Sequence, residues 1–466
     1  MSTKKIIRQP GLWESPIQPL ALGRGISFSD VAWDQSGALV WREGRSDRGV
    51  LVVQPTDGQA PRDLNSDYAV RAKVGYGGGD FTVSRGQVYF AEADSGRLYR
   101  QPLASGTARP VTPAFGSAAA PVLSPDGHWL LYVHTYEGQD ALALVDAEGK
   151  HWPTRLVSGE DFYMQPCWHP DGRRVAWVAW NHPNMPWDGT WLRTGKLALT
   201  EGGLPTLYEM TTVAGDEHTA IFQPQFSPDG RWLAYVSDKS GWWQIYVYDL
   251  EAGEHRQLTQ LNAEHGEPAW VQGVRTYTFS ADGKRIFFLR NQMGTISLWH
   301  LEVATGAEQP LPLPGYTAMY QPAVSPDGKR LALIASAGNI PARVVTCDLG
   351  GAVHTWRRAM AEELPPAAYA PPQHITWQGM DGGAVHGLFY PPQNEAFEVS
   401  SLPPLVVMVH GGPTSQRIAS FNGGVQFFTS RGYAVLDVNY RGSTGYGREY
   451  RNKLRGNWGI YDVQDS

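Results

Sequence analysis

Along the chain, short apolar stretches alternate with polar turns, and one turn recurs. It reads Ser124-Pro-Asp-Gly127, His169-Pro-Asp-Gly172, Ser227-Pro-Asp-Gly230, Ser280-Ala-Asp-Gly283 and Ser325-Pro-Asp-Gly328, with looser copies at Asp34-Gln-Ser-Gly37 and Ser84-Arg-Gly86. Serine suits the first position of a type I turn, proline presets φ at the second, and glycine closes the fourth. Each copy joins two apolar runs, as Gln223-Pro-Gln-Phe226 is joined to Arg231-Trp-Leu-Ala-Tyr-Val-Ser237. A third run such as Gln244-Ile-Tyr-Val-Tyr-Asp249 follows, and a fourth ends near Arg256-Gln-Leu-Thr259. Four short strands per unit, with units about 40–58 residues apart, predict propeller blades. Seven units are expected, at 28–60, 80–112, 120–160, 164–200, 222–260, 268–315 and 321–357. Neither end offers an evident strand to the other, so the pattern leaves ring closure open. The fourth unit carries an insertion, Trp180-Asn-His-Pro-Asn-Met-Pro-Trp-Asp-Gly-Thr190. It reads first as a surface turn capped by its own Asn and Asp side chains, and second as a loop lining a substrate path.

The pattern changes after residue 357. Ala361-Glu-Glu-Leu-Pro-Pro-Ala-Ala-Tyr-Ala-Pro-Pro372 has no periodicity, which marks 358–372 as a proline-rich linker. Residues 374–391 then read as a hairpin turning at Asp381-Gly-Gly383. Pro404-Leu-Val-Val-Met-Val-His410 is a continuous apolar run of the kind buried on both faces of a parallel sheet. A helical stretch with Val425, Phe427 and Phe428 follows, stopped by Gly432, and Tyr433–Asn439 is a second buried strand. Strand, helix, strand is a βαβ unit. The expected fold is therefore mainly β. A seven-bladed β-propeller at 28–357 is followed by an incomplete α/β-hydrolase domain at 373–466, with an N-terminal segment at 1–27.

Composition narrows the classes. Of 466 residues, 42% are hydrophobic and 18% charged, as in soluble globular proteins. A formal net charge of −6 without any Lys/Arg block argues against nucleic-acid or anionic-membrane partners. The N-terminus lacks an apolar h-region, and no apolar run approaches the ~20 residues of a spanning helix. A cytoplasmic location is the expectation. Cys167 and Cys347 lie far apart inside strand-like segments and are expected as buried, reduced thiols. No metal or cofactor is expected.

The candidate chemistry sits at His410-Gly411-Gly412. Glycines after a buried strand let backbone N–H groups face a cleft with no Cβ in the way. In acyl-transfer sites of this fold, the loop after the third strand supplies one oxyanion donor. A purely structural Gly-Gly turn is the alternative.

His410-Gly-Gly-Pro413, Asn439-Tyr-Arg-Gly-Ser-Thr-Gly-Tyr-Gly447, Gly456-Asn-Trp-Gly459 and Asp462-Val-Gln-Asp465 resemble the prolyl oligopeptidase family of serine peptidases. Within it they are most similar to the acylaminoacyl peptidase and dipeptidyl aminopeptidase-like branch. Tyr76-Gly-Gly-Gly-Asp80 and the Asn184–Gly189 insertion resemble propellers of that branch. The resemblance implies a propeller that covers the active site and admits short or unfolded peptides as substrates. It also implies an N-terminal segment, Gly11-Leu-Trp-Glu-Ser-Pro-Ile17, that packs back on the hydrolase domain. A homo-oligomer is open.

The chain departs from the family in one respect: no Gly-x-Ser-x-Gly occurs in it. Gly442-Ser443-Thr-Gly445 has the wrong spacing, so Ser443 is read as a loop residue. No catalytic residue is expected in the chain, and the Ser-Asp-His triad is expected beyond Ser466. Asp462 and Asp465 are read as opening the helix before the nucleophile strand. What carries over is half an oxyanion hole, with the Gly412 N–H as donor and Gly411 shaping the turn. His410 is read as a packing or hydrogen-bonding residue, not a base. The exposed faces of so short a sheet lead to the expectation that residues 373–466 are partly disordered or aggregation-prone. A non-catalytic binding propeller akin to that of the Tol system, or a propeller-bearing esterase, are the competing readings.

Overall fold

The computed structural model describes residues 5–19, 25–201, 203–362 and 364–466. Seven four-stranded antiparallel sheets follow one another, at 27–63, 81–110, 117–157, 162–215, 221–257, 277–310 and 318–358. Within each, neighbouring strands are consecutive in the chain. These are the seven blades that the turn repeat predicts. The Gly N–H bonds back to the first residue of each turn at 2.8–2.9 Å in all five close copies. The serine does more than the turn requires. Its Oγ accepts the N–H of the residue five on (Trp129, Trp232, Arg285 and Arg330, at 2.9–3.0 Å) and donates to the Asp two on. One hydroxyl thus locks the turn to the start of the next strand.

The fourth blade departs from expectation. Its outermost strand is Pro205–Gly215, beyond the end expected at 200. That strand is largely exposed, with Tyr208 and Met210 about half open to solvent, so no apolar run announces it.

At the propeller centre, the innermost strands kink where Ala120, Gln165, Gln223 and Gln321 take φ of 49–56°. The three glutamines use their amides to tie neighbouring blades. Gln165 Oε1 accepts from Gln223 N, Gln223 Oε1 from Thr276 N, and Gln321 Oε1 from Arg275 N, each at 2.7 Å. The ring closes without a shared strand. Trp33 Nε1 donates to Ala323 O at 3.1 Å, Arg357 pairs with buried Glu43 at 2.9 Å, and Val31 and Trp41 pack on Ala332 and Val344.

The eighth four-stranded sheet holds β1 (Gln373–Gln378), β2 (Ala384–Tyr390), β3 (Leu405–Val409) and β4 (Ala434–Asn439). Helix α1 (Gly423–Thr429) joins β3 to β4, and short helices α2 (Gly447–Asn452) and α3 (Tyr461–Gln464) follow. The order is β1-β2-β4-β3, with β3 and β4 parallel, as the βαβ reading predicts. Asn422 caps α1 by accepting from Gly424 N and Val425 N. Gly432 takes φ +93° just past its end.

β3 is the outer strand of this sheet among the described residues. Val406 and Met408 pack against Val435, Val425 and Leu388, but Leu405, Val407 and Val409 are 51%, 39% and 47% exposed. Helix α1 covers one face, and nothing among the described residues covers the other.

The N-terminal stretch lies along this sheet. Ile6–Ile7 pairs with Phe397–Glu398, Gly11 N donates to Arg431 O at 2.8 Å, and Trp13 packs on Phe397. Residues 1–4 and 20–24 of the expected 1–27 segment lie outside the described residues. The fold is mainly β: a seven-bladed propeller followed by the opening part of an α/β-hydrolase domain.

Candidate active site

β3 runs directly into His410-Gly411-Gly412-Pro413. The left-handed residue of this loop is Gly412, at φ +68°, and not Gly411. Both glycines are exposed, and neither N–H meets an acceptor among the described residues. They are two free backbone donors in a loop that is otherwise tied down. Ser415 N bonds to Pro413 O at 2.7 Å and Thr444 N to Ser415 O at 2.8 Å. Asn439, at the end of β4, clamps both sides of Arg417, accepting from its N–H at 2.6 Å and donating to its carbonyl at 2.9 Å.

His410 is buried beneath the loop. Its ring stacks on Tyr440 with centroids 4.5 Å apart, and Tyr440 Oη donates to His410 O at 3.0 Å. Burial pushes the imidazole down to about 4, so it is neutral at pH 7. A carbonyl only accepts, so the contact of Nδ1 with Gly411 O at 3.2 Å puts the proton on Nδ1, and Nε2 accepts from Ser443 Oγ at 2.9 Å. This pair has the atoms of a nucleophile and base but not the access, because Ser443 is fully buried in the turn closed by its own N–H to Tyr440 O. His410 and Ser443 join the loop after β3 to the loop after β4.

The other residues of the Asn439–Gly447 stretch hold the same corner. Arg441, with no exposed surface, pairs with Asp465 at 2.6 Å and with Asp381 at 2.5 Å, and its guanidinium lies 3.9 Å over the Tyr461 ring. Asp462 lies in the first turn of α3 and Asp465 follows Gln464. Gly447 N donates to Glu264 of the propeller at 3.0 Å, and Arg451 pairs with Asp238 at 2.9 Å. α2 is thereby docked on blade five.

Between propeller and hydrolase sheet lie two cavities, of about 590 and 380 Å³, that share Glu264, Glu267, Tyr320 and Ser420 in their walls. The smaller reaches Thr414, Ser415 and Trp270 beside the glycine loop. Burial pushes both glutamates up to about 7. Glu264 is occupied, accepting from Trp243 N at 2.8 Å as well as from Gly447 N. Glu267 has no hydrogen bond or ion pair among the described residues. Sequence reasoning missed Glu267 and Trp270, since one carboxylate and one of eighteen tryptophans carry no signal until the fold places them. No group of three His, Cys, Asp or Glu among the described residues could hold a metal ion, and no helix there is long and apolar enough to cross a membrane.

Comparison with known proteins agrees with this geometry. Residues 204–371 match the TolB beta propeller domain and residues 419–466 match the prolyl oligopeptidase family. A solved puromycin-hydrolyzing peptidase of Mycobacterium tuberculosis is 31% identical, with 99% of this chain and 73% of that one covered at a TM-score of 0.89. A solved puromycin hydrolase is 33% identical, with 98% and 73% covered at a TM-score of 0.88. The uncharacterized peptidase YuxL of Bacillus subtilis is 25% identical over 74% of this chain, and the acylamino-acid-releasing enzyme of Sus scrofa is 25% identical over 65% of it. The chain spans 64% of the length of the first and 43% of the second. With solved relatives above 30% identity matched along almost its whole length, the chain belongs to the prolyl oligopeptidase family of serine peptidases.

Proposed function

We propose that this chain supplies the propeller and one side of the oxyanion hole of a serine peptidase that cleaves short peptides. The observation that carries the reading is the pair of unoccupied backbone donors at Gly411 and Gly412, placed beside a cavity that the propeller roofs. In acyl transfer, attack on a peptide carbonyl puts negative charge on its oxygen. A fixed N–H such as that of Gly412 stabilises that charge without reorganising, and loss of one donor from a working site costs about 3–4 kcal/mol. A propeller that only binds would have no use for such donors. No Gly-x-Ser-x-Gly occurs among the 466 residues, which supports the expectation that the chain by itself is catalytically silent.

Glu267 bears on the substrate. A carboxylate without a partner in a poorly solvated cavity gains most from a cation, and the free amino terminus of a peptide supplies one. This favours the aminopeptidase side of the branch over removal of acylated residues. The two free thiols, Cys167 and Cys347, are held protonated by burial, which pushes each up to about 12 and suits a reducing cytoplasm.

The test uses the gene product that carries this chain, assayed on peptides with free and N-acetylated amino termini, beside the 466-residue chain treated with a fluorophosphonate probe. Hydrolysis of the free peptides and no labelling of the 466-residue chain are expected. Failure to cleave any peptide, or covalent labelling of the chain, overturns the reading.

A further inference from the structure

Three propeller loops interlock where the propeller meets the hydrolase sheet. The blade-two loop Tyr76-Gly-Gly-Gly79 reaches blade six, where Gln272 N donates to Gly77 O at 2.7 Å and Gly78 pairs with Gln272 in a parallel bridge. A Cβ on Gly79 would stand 2.9 Å from both Ala120 Cα and Gln272 Cβ, so only glycine fits this crossing. Tyr76 faces blade four. Its ring meets Phe162 and Trp180 edge-on at 5.4 and 5.2 Å, and its hydroxyl lies 3.8 Å from Met185 sulfur.

Met185 belongs to the 180–190 insertion, which also carries Trp187. That ring is 5% exposed and lies 4.3 Å from the ring of Trp270. The insertion is therefore more than a surface turn capped by its own side chains. Trp270 in turn reaches out of the propeller. Its Nε1–H donates to Thr414 O at 2.7 Å, and its ring lies 3.7 Å from where a Gly412 Cβ would stand.

The hydrolase sheet ties the loop from its own side, through His410 on Gly411 O, Ser415 N on Pro413 O and Asn439 on Arg417. Among the contacts that the propeller makes with this loop, the one nearest to Gly411 and Gly412 is that from Trp270. A flat ring with a single donor, backed by a second buried ring, has little rotamer freedom left to lose and makes a stiff support. We propose that Trp270 is a positioning residue for the oxyanion loop, supplied by the propeller, and that Trp187 holds it in place. This rests on reading Gly412 as the oxyanion donor. The oxyanion site is then complete only while the propeller is docked, so a propeller that moves aside for a substrate also relaxes the loop.

Three variants separate the parts. Trp270→Phe keeps the ring and loses the donor, Trp270→Ala loses both, and Trp187→Ala removes the backing without touching the loop. In the 466-residue chain, hydrogen exchange at the Ser415, Arg417 and Thr444 amides is expected to speed up by about tenfold in each, with blade amides unchanged. In the gene product, Trp270→Phe is expected to lower kcat by about tenfold, and Trp270→Ala by up to ~100-fold, with KM within about twofold. Unchanged exchange in Trp270→Ala and Trp187→Ala overturns the proposal. So does a KM that rises at constant kcat, which would make Trp270 a wall of the substrate pocket. If the gene product cleaves no peptide while exchange responds, the positioning stands and the peptidase reading fails.

Discussion

Asp465 accepts from Arg441 three times, from the main-chain N–H at 2.8 Å, from Nε at 3.0 Å and from Nη2 at 2.6 Å, with both side chains fully buried. The pair pins α3 to the turn after β4, and that turn holds Ser443 against His410. Removing Asp465 leaves the buried Arg441 with only its Asp381 partner, so the cost falls below the about 3–5 kcal/mol of a fully uncompensated buried charge. Asp465→Ala is therefore expected to unfold the 373–466 sheet at lower urea than the propeller, seen as a separate early transition by tryptophan fluorescence. A single unchanged transition would show that the pair contributes little.

Gly412 is left-handed, and a side chain there costs roughly 1–2 kcal/mol in backbone strain. Space is not the obstacle, because a Cβ would sit at ordinary contact distance from Trp270. Gly412→Ala is expected to fold and to lower kcat of the gene product by about tenfold through a shifted N–H, whereas Gly411→Ala, with open space around it, has a smaller effect. Equal losses at the two positions would contradict the assignment of the donor.

Glu267, pushed up to about 7 by burial, is protonated in mild acid. An ammonium ion is attracted only by the carboxylate, so affinity for a free amino terminus rises as pH climbs through 7. It falls again once the amine itself loses its proton near pH ~8. KM for free peptides is expected to drop severalfold between about pH 6 and 7.5, with that of N-acetyl peptides flat. Glu267→Gln should abolish the difference. A free-peptide KM independent of pH, or unaffected by Glu267→Gln, removes Glu267 from the site.

Leu405, Val407 and Val409 present an apolar strip on an edge strand, a template for pairing with another chain. The 466-residue chain is expected to self-associate through it, and Val407→Lys to reduce light scattering severalfold without altering the propeller. Limited proteolysis should cut within 373–466 before any blade is cut. A second domain as resistant as the propeller, with scattering unchanged by the lysine, would show the strip to be harmless.

The propeller was legible because its information is local. A turn needing Ser, Pro, Asp and Gly at fixed offsets declares itself five times, whereas the exposed strand Pro205–Gly215 has no apolar face to declare. β3 was legible from its five consecutive apolar residues Leu405–Val409, while the neighbours that cover such a run are not encoded in it. At the site, the glycine loop could be read from its motif. The Arg441–Asp465 pair, the Asn439 clamp and the Trp187–Trp270 contact join residues distant in sequence, and no spacing rule connects them.

Because every blade is built from four strands consecutive in the chain, each sheet can finish as soon as its own segment has left the ribosome. No blade strand waits for a partner from another blade, which keeps the pairing within the propeller local in sequence. Closing the circle then asks only for side chains to dock: Trp33 on Ala323, Glu43 on Arg357. A chain organised in this way can assemble vectorially, blade after blade, with the seam formed between finished parts.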